Sequence, residues 1–205
     1  TTLERVIGRH KLIIEAGKLA LQAHGAVTVR YGDTIILATA VMSDQLRAPE
    51  MDFLPLTVDY EERLYSAGKI PGSFFRREGR PGQEAVLTSR LTDRAIRPLF
   101  PKGLRNDIQI TITVLSADQE NPPDVLAMIG TSAALSMSRI PFSGPIGACR
   151  LGFKDGQYTL FPTYQEISEG QLSLVVASTP DAVMMVEAES KQVSEATVLE
   201  GIRRA

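Results

Sequence analysis

Phe74, Phe75, Arg76 and Arg77 stand in a row and Arg80 follows three residues later, so two large apolar rings sit beside permanently charged guanidinium groups. Unstacked bases lie on aromatic faces for about 1–3 kcal/mol each whatever their identity, and guanidinium forks match phosphate oxygens. Such a segment has the ingredients to hold single-stranded nucleic acid. The same residues also have a structural reading, in which the phenylalanines pack a loop onto the core and the arginines pair with Glu78 and Glu84. On residue types alone the two readings stand level.

Other chemistries find less support. His10 and His24 lack an H-x-x-x-H or C-x-x-C companion, so a zinc site is not expected. Asp59, Glu61 and Glu62, or Glu187 and Glu189, carry oxygen ligands suited to a hard cation, but exposed acids at strand ends explain them more simply. Cys149 lies in an apolar run and reads as a small core residue. No G-x-S-x-G elbow and no G-x-x-x-x-G-K-[ST] loop occurs, and the glycines near 68–72 lack the strand and helix of a dinucleotide fingerprint. Neither a serine nucleophile nor a nucleotide cofactor is supported.

The charge distribution agrees with a local anion site. The chain has 205 residues, 22 Lys plus Arg against 24 Asp plus Glu, and a formal charge of −2. Sixteen of the 22 cations are Arg, and residues 76–105 hold eight cations against three acids, leaving the remainder acidic. A basic segment on an acidic body suits a threaded strand better than a duplex, which favours a broad basic face. Hydrophobic residues at 43% predict a sizeable core, one cysteine excludes an internal disulfide, and no apolar run approaches the roughly 20 residues of a membrane span. Together these place the chain in the cytoplasm, with no membrane partner.

The elements that must carry these residues are legible from periodicity. Residues 11–15, 26–30 and 34–42 read as strands, the last two joined in a hairpin by Tyr31, Gly32 and Asp33. Residues 53–60 form a further candidate, with Pro55 marking an edge or a strand start. Glycines and prolines make 66–83 a loop. A helix follows over 84–97, ended by Pro98, with Val86, Leu87 and Leu91 as its apolar contacts and Arg90, Arg94 and Arg97 as a cationic stripe. That stripe either extends an RNA path or pairs with acids of a neighbouring element, the second being slightly favoured. Residues 107–115 alternate as a half-buried strand, and 124–138 form a small-residue helix able to pack closely. Strands at 146–153, 157–161, 171–178 and 182–187 precede a helix at 194–204 with Ser194 as its N-cap. The sum is one α+β domain with antiparallel hairpins and at least two helices on one side.

Three runs then carry a resemblance: Phe74 through Pro81, the run from Leu91-Thr92-Asp93-Arg94 to Arg97-Pro98-Leu99-Phe100-Pro101, and Pro141-Phe142-Ser143-Gly144-Pro145-Ile146-Gly147-Ala148. They closely resemble the bacterial polynucleotide phosphorylase family. The resemblance implies that residues 1–205 are the first of two ribonuclease PH-like domains, an N-terminal fragment of a longer enzyme. The implied fold is that of ribosomal protein S5 domain 2, an antiparallel or mixed sheet with helices packed on one side. The family degrades RNA from its 3′ end with inorganic phosphate as nucleophile and magnesium as metal, releasing nucleoside diphosphates. It works as a homotrimeric ring within RNA-degradation complexes. Phe74, Phe75, Arg76 and Arg77 carry over as RNA contacts in the ring channel, with Arg80 added by position.

Catalysis does not carry over. Where the family's active domain has an Asp-x-Lys triplet, this chain reads Ser173-Leu174-Val175, after Tyr164-Gln165-Glu166-Ile167. Phosphorolysis brings two anions together, so a site lacking metal ligand and cation is expected to be silent. No catalytic or metal-binding residue is therefore assigned. Two alternatives stay open: phosphorolysis by this copy using Arg90, Arg94 and Arg97, and a purely structural oligomerisation module.

Overall fold

The computed structural model describes residues 1–46, 52–70, 72 and 79–205. Its first sheet has six strands in the order β1-β2-β3-β4-β6-β5. β1 (Thr2–Ile7) and β2 (His10–Ala16) form a hairpin turning at Gly8, whose φ of +59° suits glycine. The expected hairpin is β3 (Gly25–Tyr31) with β4 (Thr34–Leu46). β6 (Asn106–Ser116) pairs antiparallel with β4, and β5 (Leu56–Glu62) runs parallel to β6 at the edge. The strand expected over 53–60 thus starts after Pro55, whose carbonyl accepts the Ile108 N–H at 2.9 Å.

Period-two alternation puts Ile108, Ile110, Ile112 and Val114 of β6 into the core at 1% exposure or less. Each such side chain contributes about 1.5–3 kcal/mol of apolar burial. Two helices cover that face: α1 (Gln83–Ile96) on β5, and α2 (Asp124–Met137) on β3 and β4. Small residues set the α2 spacing, because a Cβ added at Gly25 would lie 2.0 Å from the Ala134 carbonyl oxygen. One added at Gly130 of α2 would lie 2.8 Å from Ile36 Cδ1. A side chain at either position would force helix and sheet apart.

The second sheet holds β7 (Gly147–Lys154), β8 (Gln157–Leu160), β9 (Leu172–Ser178) and β10 (Val183–Ser190) in the order β10-β9-β7-β8. It closes over the other side of α1 and α2, so these helices lie between two sheets, and α2 is buried around most of its circumference. Val175 and Ala177 of β9 face the main core, while Leu172, Leu174 and Val176 face the opposite way. There they meet Val198 and Ile202 of α4 (Glu195–Arg204), capped by Ser194 as expected. The α+β class stands, with a helix on the far face of the second sheet as well.

Of the apolar contacts expected of α1, Leu91 packs against the core, but Val86 and Leu87 do not. Val86 and Leu87 are 46% and 50% exposed, and the buried positions are Ala85, Thr88, Thr92, Ala95 and Ile96. Close packing between β5 and α2 selects short side chains there and turns the larger ones outward.

The β1–β2 turn is tied to α3 (Tyr164–Glu169) across the two sheets. Arg9 donates to both Glu166 carboxylate oxygens at 2.7 and 2.8 Å, and Glu166 also accepts the Thr163 N–H in a capping box. The Arg9 guanidinium, outweighing partial burial, holds the Glu166 carboxyl down at about 2. A depressed folded pKa gives stability that is complete above the unfolded value near 4.5 and lost as pH falls toward 2. Because both side chains remain about two-fifths exposed, the contribution is about 1 kcal/mol. Urea unfolding of Glu166→Gln is expected to show that deficit at pH 6 and its disappearance near pH 2. A deficit constant across this range would remove the ion pair as its cause.

Candidate nucleic-acid interface and the arginine cleft

Phe74, Phe75, Arg76 and Arg77 lie outside the described residues. Arg80 is exposed and has no ion pair or hydrogen bond among the described residues. It lines a cavity of about 280 Å³ with Tyr60, Glu62, Arg63 and Glu84 at the start of α1. Tyr60 is buried and donates its hydroxyl to Glu62 at 2.8 Å, which fixes both side chains in this cavity's wall.

Glu84 also lines a larger cleft of about 960 Å³ bounded by α1, β5, β9, β10 and the first residue of α2. The stripe of Arg90, Arg94 and Arg97 faces it, together with Arg150 of β7. Most of this positive charge is already engaged. Arg94 pairs with Glu187 of β10. Arg97 pairs with Asp93 at 2.6 Å and donates to the carbonyls of Leu54 and Leu56 at 3.0 and 3.2 Å, fastening the chain before β5 to the helix end. Arg90 alone among the four has no partner within the described residues. The pairing with a neighbouring element, slightly favoured from sequence, therefore holds for Arg94, whereas Arg97 pairs with an acid of its own helix.

Ser173 and Val175 line the same cleft. Arg150 donates from Nη1 to Ser173 Oγ at 2.8 Å and from Nη2 to the Asp124 carboxylate, with the two charged side chains only 18% and 14% exposed. Asp124 Oδ1 in turn accepts the Val125 N–H at 2.7 Å. A guanidinium thus stands over the Ser173 hydroxyl and the Asp124 carboxylate together. Magnesium does not fit this group, because the Arg150 guanidinium already engages both the Ser173 hydroxyl and the Asp124 carboxylate and would repel a second cation. Among the described residues no three His, Cys, Asp or Glu side chains converge as a metal site. Of the acids weighed as ligands, Asp59 accepts from Gln109 at 3.1 Å, Glu61 pairs with Arg63, Glu62 accepts from Tyr60 and Glu187 pairs with Arg94, while Glu189 has no side-chain partner among the described residues. Cys149 is buried, which pushes its thiol up to about 11 and leaves it unreactive.

Sequence reading passed over Arg150. The available signal was a cation inside the otherwise apolar run of β7, which burial obliges to find a carboxylate.

Residues 9–141 match the model of the 3′ exoribonuclease family, domain 1, and residues 144–205 match that of domain 2 of the same family. The chain belongs to the 3′ exoribonuclease family. The first match spans the six-stranded sheet from Arg9 on with α1 and α2, and the second spans the four-stranded sheet with α3 and α4, so the family's two parts meet across the buried helices. The chain is 55% identical over 202 residues to the polyribonucleotide nucleotidyltransferase of Thermus thermophilus, covering 98% of this chain and 28% of that protein. It is 56% identical over 196 residues to the protein of the same name from Rhodospirillum centenum, covering 96% of this chain and 28% of that protein. It spans little more than a quarter of the length of these relatives. Among the described residues no helix is long and apolar enough to cross a membrane.

Proposed function

We propose that residues 1–205 are the first ribonuclease PH-like domain of a cytoplasmic polyribonucleotide nucleotidyltransferase, in which they guide single-stranded RNA and help build a homotrimeric ring. The whole enzyme shortens RNA from its 3′ end by phosphorolysis, with inorganic phosphate attacking the terminal phosphodiester and a nucleoside diphosphate leaving. Magnesium and the reacting groups belong to the other ribonuclease PH-like domain. RNA reaches that domain past Phe74, Phe75, Arg76, Arg77 and Arg80. Family membership and the names of the relatives support the activity class.

The silence of this copy rests on one observation: Arg150 is held between Asp124 and Ser173. Bringing phosphate and phosphodiester together requires uncommitted positive charge aimed where negative charge accumulates. Here Arg94, Arg97 and Arg150 each neutralise a carboxylate of the same chain, leaving Arg90 at one side of the cleft. Incubation of the 205-residue chain with oligoadenylate, phosphate and magnesium is expected to release no ADP above the protein-free control. ADP release that persists through purification and disappears in Arg90→Ala would transfer the reaction to this cleft.

A further inference from the structure

A cavity of about 340 Å³ opens between the 3-10 turn Leu64–Ala67, the connection from β6 to α2, and the start of α3. It shares no lining residue with the arginine cleft, but Glu62 and Arg63 line both it and the cavity of Arg80. Its size is at the lower end of the roughly 300–1,000 Å³ of small-molecule sites.

Tyr164 contributes one wall and is 48% exposed. Its backbone N–H donates to the Glu120 carbonyl at 3.1 Å, which anchors the start of α3 to the loop opposite. Burial, and then the nearby carboxylates Glu62, Asp124 and Glu84, push its hydroxyl up to about 12, so the ring is uncharged at neutral pH. Lys69 lines the cavity, is exposed, and its ammonium has no partner among the described residues.

The facing loop is set in an uncommon conformation. Gln119, another lining residue, has a φ of +61°. Left-handed backbone at a non-glycine residue persists only where its surroundings impose it. Asp118 does so, because its Oδ1 accepts the N–H groups of Glu120 and Asn121 at 2.9 and 2.8 Å. Asn121 also lines the cavity, is 3% exposed, and has an amide oxygen without a hydrogen-bond partner among the described residues.

A half-exposed ring on a fixed backbone, an uncommitted cation and a polar wall together match one nucleotide: ring for base, ammonium for phosphate. We infer that this cavity is a subsite for a single unstacked nucleotide of RNA, with the base against Tyr164 and its phosphate at Lys69. This rests on the RNA-guiding reading and adds a contact beyond Phe74 to Arg80.

Anisotropy of a labelled oligoadenylate and calorimetry with ADP, both on the 205-residue chain, test it. Tyr164→Leu is expected to weaken oligoadenylate binding about tenfold, whereas Tyr164→Phe keeps it within about twofold. Lys69→Glu, at an exposed position where folding is not at stake, is expected to weaken it about tenfold and to flatten the salt dependence. Wild-type affinity in Tyr164→Leu and Lys69→Glu, beside a loss in Arg76→Ala/Arg77→Ala, overturns the subsite and leaves the RNA-guiding reading standing. ADP binding that needs Tyr164, with oligoadenylate binding indifferent to it, overturns the RNA assignment in favour of a free nucleotide. Failure of the wild-type chain to bind either probe overturns both readings.

Discussion

Replacing Phe74, Phe75, Arg76 and Arg77 together by alanine is expected to weaken oligoadenylate binding to this chain at least a hundredfold. Two lost stacking contacts at about 1–3 kcal/mol each account for that factor before charge is considered. Removing the two guanidinium groups should also lower the slope of log affinity against log salt by about 1.4, the counterion release of two phosphates on a single strand. The contributions separate by design. Phe74→Ala/Phe75→Ala should reduce affinity at every ionic strength with the slope unchanged, while Arg76→Ala/Arg77→Ala should change the slope and lose most of its effect at high salt. Anisotropy titrations across a salt series read both quantities. Wild-type affinity in the quadruple variant would favour the structural reading, in which the rings belong to the core and the arginines to Glu78 and Glu84. A large loss of thermal stability in Phe74→Ala/Phe75→Ala would point the same way.

Asp124→Ala should cost the most stability of any single change in the cleft, about 3 kcal/mol. It strips the carboxylate from Arg150, whose side chain is only 18% exposed and whose Nε has no partner among the described residues. The penalty is mainly that of a stranded charge, because breaking one side of a buried pair costs more than deleting the pair. Adding Arg150→Met to Asp124→Ala should therefore recover most of the loss, and Asp124→Asn should fall between. Urea midpoints with unchanged m-values are the measurement. Loss in the double variant equal to that in Asp124→Ala would show that the carboxylate acts through the helix N-terminus, where it accepts the Val125 N–H, and not through Arg150.

Several elements were legible because their signals are local. The alternation of β6 survives in its burial pattern, and the hairpin of β3 and β4 turns where Gly32 takes a φ of +61°. Ser194 caps α4 as its residue type and position implied. β1 went unread because an edge strand with nearly every residue exposed needs no apolar face, so no period marks it. α3 went unread because six residues are too few for a helical period, although Thr163 and Glu166 had the spacing of a capping box.

By itself the sequence determined the α+β class, the order of most elements and the family. These follow from residue type, short-range period and motif, which a linear reading contains in full. Only the tertiary structure decided that the strands divide into two sheets around α1 and α2, and that Arg94 meets Glu187 and Arg150 meets Asp124. Those partners lie 93 and 26 residues apart along the chain. A buried charge must find a counter-charge, but which of 24 acids supplies it depends on the strand pairing and helix packing that bring distant segments within reach.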